Sequence, residues 1–267
     1  MTEIQQLDVE VLHQNLVEKT NVDIQVATAK RYPRNVARVR DSVVALVTMD
    51  KDTAQSCSYA LPRGDKPITG PSVHLARILA QQYGNIRAEA KVVEITDKQV
   101  VSRGTAWDLE NNYAVAYEVR RSIVGKYGRY SDDMITVTGN AANAIAYRNA
   151  VLSIIPKGIT ESALKEAQKL ITGDLADDKA LAERRKKAIN YFNSSFGITE
   201  KEVLQLLGKQ KVDQIKAKDI ATLLGIQQSL VDGDTTVDDL MYPIRGVKEK
   251  IETKKKIMKN KKTIDLP

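Results

Sequence analysis

The chain has 267 residues, 42% of them hydrophobic and 28% charged, with a formal net charge of +7. That length suffices for one large domain or two modest ones, and no run of 18 apolar residues is present to cross a membrane as a helix. The single cysteine, Cys57, excludes an internal disulfide, and with only His13 and His74 beside it the chain lacks the ligands of a structural zinc site.

The opening stretch MTEIQQLDVEVLHQ carries neither a basic n-region nor an apolar h-region. No secretory signal is expected, and a reducing cytoplasm is the expected location. Charge is uneven along the chain: residues 1–60 carry −1, 61–157 carry +4, 158–240 carry −2 and 241–267 carry +6. A basic middle and a basic end on a near-neutral body point to an anionic partner, most often nucleic acid. A lysine tail kept for solubility is the plainer alternative.

Residues 3–19 have near-helical apolar spacing through Ile4, Leu7, Val11 and Leu12. After Pro33 a second helix is expected over about 34–49, with Val36, Val39, Val43, Val44 and Val47 as its apolar stripe. A short third helix is expected over 52–59. Residues 62–70 read as a loop that delivers Pro71 to the first turn of a helix ending near Gly84. On that helix His74, Arg77 and Gln81 share a narrow polar face with no acidic residue.

Three strands follow, over 86–95, 99–107 and 113–123, with Tyr113, Val115, Tyr117 and Val119 on one face of the third. DLENN is a hairpin signal, and Gly125 and Gly128 suggest another hairpin near 126–129. An alanine-rich helix is expected over about 140–155, stopped by Pro156. Arg148 projects beside Ala141, Ala144 and Ile155 on it. Either it lines a groove, or it snorkels or pairs with a carboxylate. Beyond 158 the chain turns helical and polar, with helices expected over 176–194 and 218–231. Between them TEKEVLQLLG opens with a Thr199–Glu202 capping box and closes at Gly208. The last stretch, 241–267, reads as a mobile basic arm or a fraying helix.

Signatures of catalysis are few. Walker A, G-x-G-x-x-G, H-E-x-x-H and G-x-S-x-G are all absent. Glu89 and Lys91 with Asp65 could imitate a metal-dependent nuclease, but an acid-x-Lys spacing also occurs at Asp177/Lys179 and Glu252/Lys254, so it stands at background. The cationic set is broader: Arg63, Lys66, His74, Arg77, Arg87, Arg103, Arg120, Arg121, Lys126, Arg129 and Arg148 all fall between 60 and 150. Such side chains hold phosphates without reading sequence. Tyr113, Tyr117, Tyr127, Tyr130 and Trp107 could stack bases, although a strand tyrosine is more often core.

The blocks YALPRGDKPITGPSVHLARILAQQYGNIRAEAKVVE, RGTAWDLENNYAVAYEVRRSI and YSDDMITVTGNAANAIAYRNAVLSIIPKG resemble bacteriophage single-strand DNA annealing proteins, the broad class of RecT, Redβ and Erf. The resemblance covers about residues 20–160, and the helical stretch from 197 resembles the C-terminal domain that often follows. It implies an α+β fold: N-terminal helices, then a helix, a three-stranded antiparallel meander and a helix as annealing core over 1–160. A small all-α domain over 161–240 and a basic tail over 241–267 complete it. It also implies a DNA-binding protein, not an enzyme, that forms rings or filaments and anneals complementary strands in recombination and repair. Its cationic groove would use His74 or Arg77 on one helix and Arg148 on the other, with Arg63, Lys66, Arg120, Arg121 and Arg129 from loops and hairpins. Implied partners are single-stranded DNA, the annealed duplex, other copies of the chain, and a partner exonuclease or host single-strand binding protein. No cofactor is expected beyond a non-specific Mg²⁺ dependence, and no membrane; the compartment would be the host cytoplasm. A passive single-strand binding protein is the alternative, and a metal-dependent nuclease the remote one.

Overall fold

A computed structural model describes residues 3–63, 66–125, 128–173 and 178–246, with the side chains of 12, 14–61, 67–125, 128–173 and 178–246 among them. In chain order the elements are α1 (Glu3–Arg31), α2 (Val36–Val47), α3 (Lys51–Ser56), β1 (Ser58–Arg63), β2 (Lys66–Pro71), α4 (Val73–Tyr83), β3 (Ile86–Ile95), β4 (Gln99–Asp108) and β5 (Tyr113–Ser122). They continue as β6 (Val124–Gly125), β7 (Gly128–Arg129), α5 (Asp132–Ile154), α6 (Lys157–Gly173), α7 (Asp178–Phe196), α8 (Glu200–Leu206), a 3₁₀ turn at Val212–Gln214 and α9 (Ala217–Val231). Residues 237–246 are helical as well. The protein is α+β, mostly helical, with one three-stranded antiparallel sheet.

The chain divides into two units, one of residues 1–46 and 76–163 and the other of 47–75 and 164–267. The last division falls between 163 and 164. Residues 47–75, expected with the core, belong instead with the C-terminal helices.

In the first unit α1 runs unbroken for 29 residues, where a helix was expected only to residue 19. No glycine or proline interrupts it, and it stops two residues before Pro33, which disfavours helical backbone at the residue ahead of it. The meander has the order β3-β4-β5, with Ile86 opposite Asp108 and Gln99 opposite Ser122 at its ends. A bulge between Val92 and Glu94 shifts the register of β3. α5 packs across β4, with β3 and β5 to either side. It comes close at Gly104, where an added Cβ would come within 2.2 Å of the Ala146 carbonyl oxygen. Only glycine fits beneath the helix there.

That contact fixes the faces of the sheet. Val100, Ser102, Gly104, Ala106 and Asp108 point toward α5, together with their cross-strand neighbours Tyr113, Val115, Tyr117, Val119 and Arg121. Val100, Ile123, Ile135 and Ala142 form a core here, with Val92, Val119 and Tyr130 against it. α5 begins eight residues earlier than expected. Ser131 caps it, accepting from the Met134 N–H, and Asp132 and Asp133 favour its positive end.

The second unit holds a correction. Residues 62–70, expected as a loop, are mostly the facing halves of a β1–β2 hairpin, with Ser58 opposite Pro71 and Pro62 opposite Pro67. Tyr59 lies over Gly70, whose missing side chain makes room for the ring. Ser72, not Pro71, sits at the helix start, its hydroxyl accepting from the Leu75 N–H. α9 packs on the hairpin: Gly225 meets the Ala60 backbone, and the Ser229 hydroxyl donates to the Ala60 carbonyl at 2.9 Å. Phe192, Ile198, Val203, Ile215, Ile220, Leu223, Ile226 and Met241 form the main core, all essentially without solvent contact. The capping box at Thr199 and Glu202 is present. Met241 being core, the folded chain extends past residue 240, where the tail was expected to begin. Residues 247–267 lie outside the described residues.

Candidate nucleic-acid interface

The side of the sheet away from α5 carries Arg87, Glu89 and Lys91 from β3, Arg103, Thr105 and Trp107 from β4, and Ala114, Ala116, Glu118 and Arg120 from β5. This face gathers three of the candidate cations, Arg87, Arg103 and Arg120, and adds Lys91. It is not uniformly basic. Arg103 is paired with Glu118 at 2.6 Å, its direct cross-strand neighbour. Arg87 is paired with Glu18 of α1 at 2.9 Å. α1 thereby roofs one end of the face, over a cleft of about 450 Å³ lined by Glu18, Val22, Thr105 and Trp107, among others. The exposed Arg120 pulls the Glu118 carboxyl down too, but less than Arg103 does through its hydrogen bond and charge. A phosphate reaching Arg87 or Arg103 meets a carboxylate already bound there.

On the other side, the edge strand β5 leaves Tyr113 53% and Tyr117 43% exposed. Neither is the core tyrosine that a strand usually makes of this residue. Arg77, on the polar face of α4, is exposed and has no hydrogen-bond or ion-pair partner among the described residues. Its charge bears on the Tyr147 phenol of α5: burial pushes that phenol up, and Arg77 pulls it back down. Tyr130 is different in kind, half-buried against the core of the first unit and covering Gly125.

The remaining candidates are dispersed. His74 belongs to the second unit, where its Nε2 lies 3.0 Å from Asp232 Oδ1 at the end of α9, and Gln228 donates to the same oxygen. Arg129 donates to the Thr96 carbonyl at 2.8 Å and ties the β6–β7 hairpin to the β3–β4 turn. Arg121 is half-buried and engaged, and Arg148 is only 8% exposed and engaged. The side chains of Arg63, Lys66 and Lys126, with Tyr127 and Asp65, lie outside the described residues.

The strongest polar cluster of the first unit has no counterpart among the residues that sequence reasoning singles out. Arg34 makes a two-pronged bond to Asp108 at 2.7 and 2.6 Å, lies 3.1 Å from Glu110, and stacks 3.9 Å from the Tyr83 ring centre. Its side chain is 6% exposed. Burial pushes the Asp108 carboxyl up, but the bonds from Arg34 and Asn111 outweigh it and hold the group below the usual range. No short-range pattern links positions 34 and 108. The cluster pins the β4–β5 turn to the end of α4, which is architecture, not ligand chemistry.

Among the described residues no group of three or more His, Cys, Asp or Glu side chains is arranged to hold a metal. None of their helices is long and apolar enough to cross a membrane. Comparison of the chain with protein-family models, curated proteins and solved structures finds no match in any of the three.

Proposed function

We propose that this protein binds single-stranded DNA without sequence preference and, as an oligomer, anneals complementary strands in recombination. The observation that carries the reading is the pair of solvent-facing tyrosines, Tyr113 and Tyr117, on a sheet edge, four residues apart and on one face of it. In the same unit Arg77 is exposed and has no hydrogen-bond or ion-pair partner among the described residues. Aromatic faces accept any base and cations hold the backbone, the two kinds of group that sequence-tolerant single-strand binding requires. The resemblance of residues 20–160 to phage annealing proteins supports the annealing step, which needs no covalent chemistry.

The test is annealing of two complementary, fluorescently labelled oligonucleotides, with and without the protein, at two salt concentrations. The expected result is salt-sensitive acceleration without cleavage. Tyr117→Ala should weaken single-strand binding by about 1–3 kcal/mol, the value of one stacked base. Arg77→Ala should lower the salt slope by about 0.7, one phosphate contact on a single strand. Binding without acceleration would reduce the activity to strand protection. Absence of binding would remove the reading.

A further inference from the structure

We propose that β5 is the interface for a second copy of this chain, paired antiparallel to itself about Val119. The edge is open: among the described residues the backbone of Tyr113–Ser122 bonds in register only to β4. The strand is ten residues long, without bulge or proline. The opposite edge, β3, is interrupted by its bulge, a device that protects edges from pairing. The chain after β5 turns away from the edge, since the β6–β7 hairpin is drawn toward the β3–β4 turn by Arg129.

Charge selects both the partner and the register. Residues directly opposite in an antiparallel pair share a face. With Val119 opposite itself, Glu118 faces Arg120 of the second copy and Arg120 faces Glu118, a reciprocal pair on the open face of the sheet. Tyr117 then meets Arg121 of the second copy on the α5 face, also twice. Moving the two-fold centre by one residue puts Glu118 against Glu118 or Arg120 against Arg120. The strand is therefore complementary to itself in one register and repulsive in those beside it.

The geometry has room for the helices. Three strand spacings of about 4.8 Å separate the two β4 strands, so the two α5 helices that lie across them stand roughly 14 Å apart. Packed helices approach to about 8–10 Å. What results is a six-stranded sheet with a cleft between the helices, floored by Tyr113, Tyr117 and Arg121 from each copy.

The test uses the full chain without DNA, so it stands or falls apart from the nucleic-acid reading. V119C, treated with a mild oxidant, should give a covalent dimer on non-reducing gels. V115C, which lies opposite Ile123 in this register, should not. E118R and R120E, added singly to V119C, should each lower the cross-linked yield by roughly tenfold, since two facing pairs become like-charged. E118R/R120E together should recover part of it, because the charge swap restores both facing pairs while each copy loses its own Arg103–Glu118 pair. Circular dichroism on each variant confirms that the fold is intact. Cross-linking of V119C no better than V115C, or a double variant that does not recover, would overturn the proposal.

Discussion

Asp108 is 3% exposed and accepts two hydrogen bonds from the Arg34 guanidinium, its counter-charge in the cluster. Arg34→Met keeps the volume but leaves that carboxylate buried without a counter-charge, held only by Asn111 and the Glu110 N–H. The expected cost is about 3–5 kcal/mol, read as a lowered urea midpoint with unchanged slope. Adding Asp108→Asn should return part of it, because the stranded charge is then gone. Glu202 makes a second residue-level prediction. The hydrogen bonds from Arg245, against the opposing pull of burial and with help from Thr199, hold its carboxyl down from 4.5 to about 2. A carboxyl depressed on folding adds stability that is fully present above its unfolded value and is lost as pH falls through its folded value. The stabilisation should therefore be complete above about pH 4.5 and vanish between there and about pH 2. Glu202→Gln should flatten that acid limb when denaturation midpoints are followed from pH 6 to 2.

At the scale of elements, α5 rides on β4 because Gly104 lets the Ala146 carbonyl approach. Gly104→Ala places a methyl where backbone already stands, and backbone cannot swing aside as a long side chain can. The expected destabilisation is roughly 1–3 kcal/mol, with exposure of the Val100, Ile123, Ile135 and Ala142 core to a hydrophobic dye. The strands that build this contact were legible in the sequence, because alternation and the DLENN turn set period and length together. The first third of α5 was not, since Ile135 to Thr138 reads as a β-branched run and only the Ser131 cap and two aspartates argue for helix. The β1–β2 hairpin was hidden by Pro62 and Pro67, which read as breaks yet face each other across its outer end. The candidate site was legible in part. Helical projection set Arg77 on the polar face of α4, where it is exposed. Charge pairing needed the third dimension: Glu18 and Arg87 stand 69 residues apart. Arg103 and Glu118 follow from the meander once its register is known, and counting back from the turn would have paired them.

For the molecule as a whole, the chain's most basic stretch and its folded end are different things. Met241 is fully buried in the core of the second unit, and Arg245 holds Glu202 at 2.9 Å, so the fold continues to at least residue 245. Truncation after residue 240 removes both side chains and should destabilise the helical unit, whatever the end of the chain binds. Truncation after residue 246 spares them and removes eight lysines and three acidic residues. If those lysines touch phosphates, the slope of log affinity against log salt should fall by about 0.7 for each phosphate no longer neutralised. The thermal midpoint should stay where it is, because Met241 and Arg245 remain. The pair of truncations separates two causes that a single deletion would merge. Weaker binding by both, with a changed midpoint only in the shorter chain, assigns the end of the chain to DNA. An unchanged slope after truncation at 246 leaves phosphate binding to the described residues, and makes Arg77→Ala the variant with the larger effect on affinity.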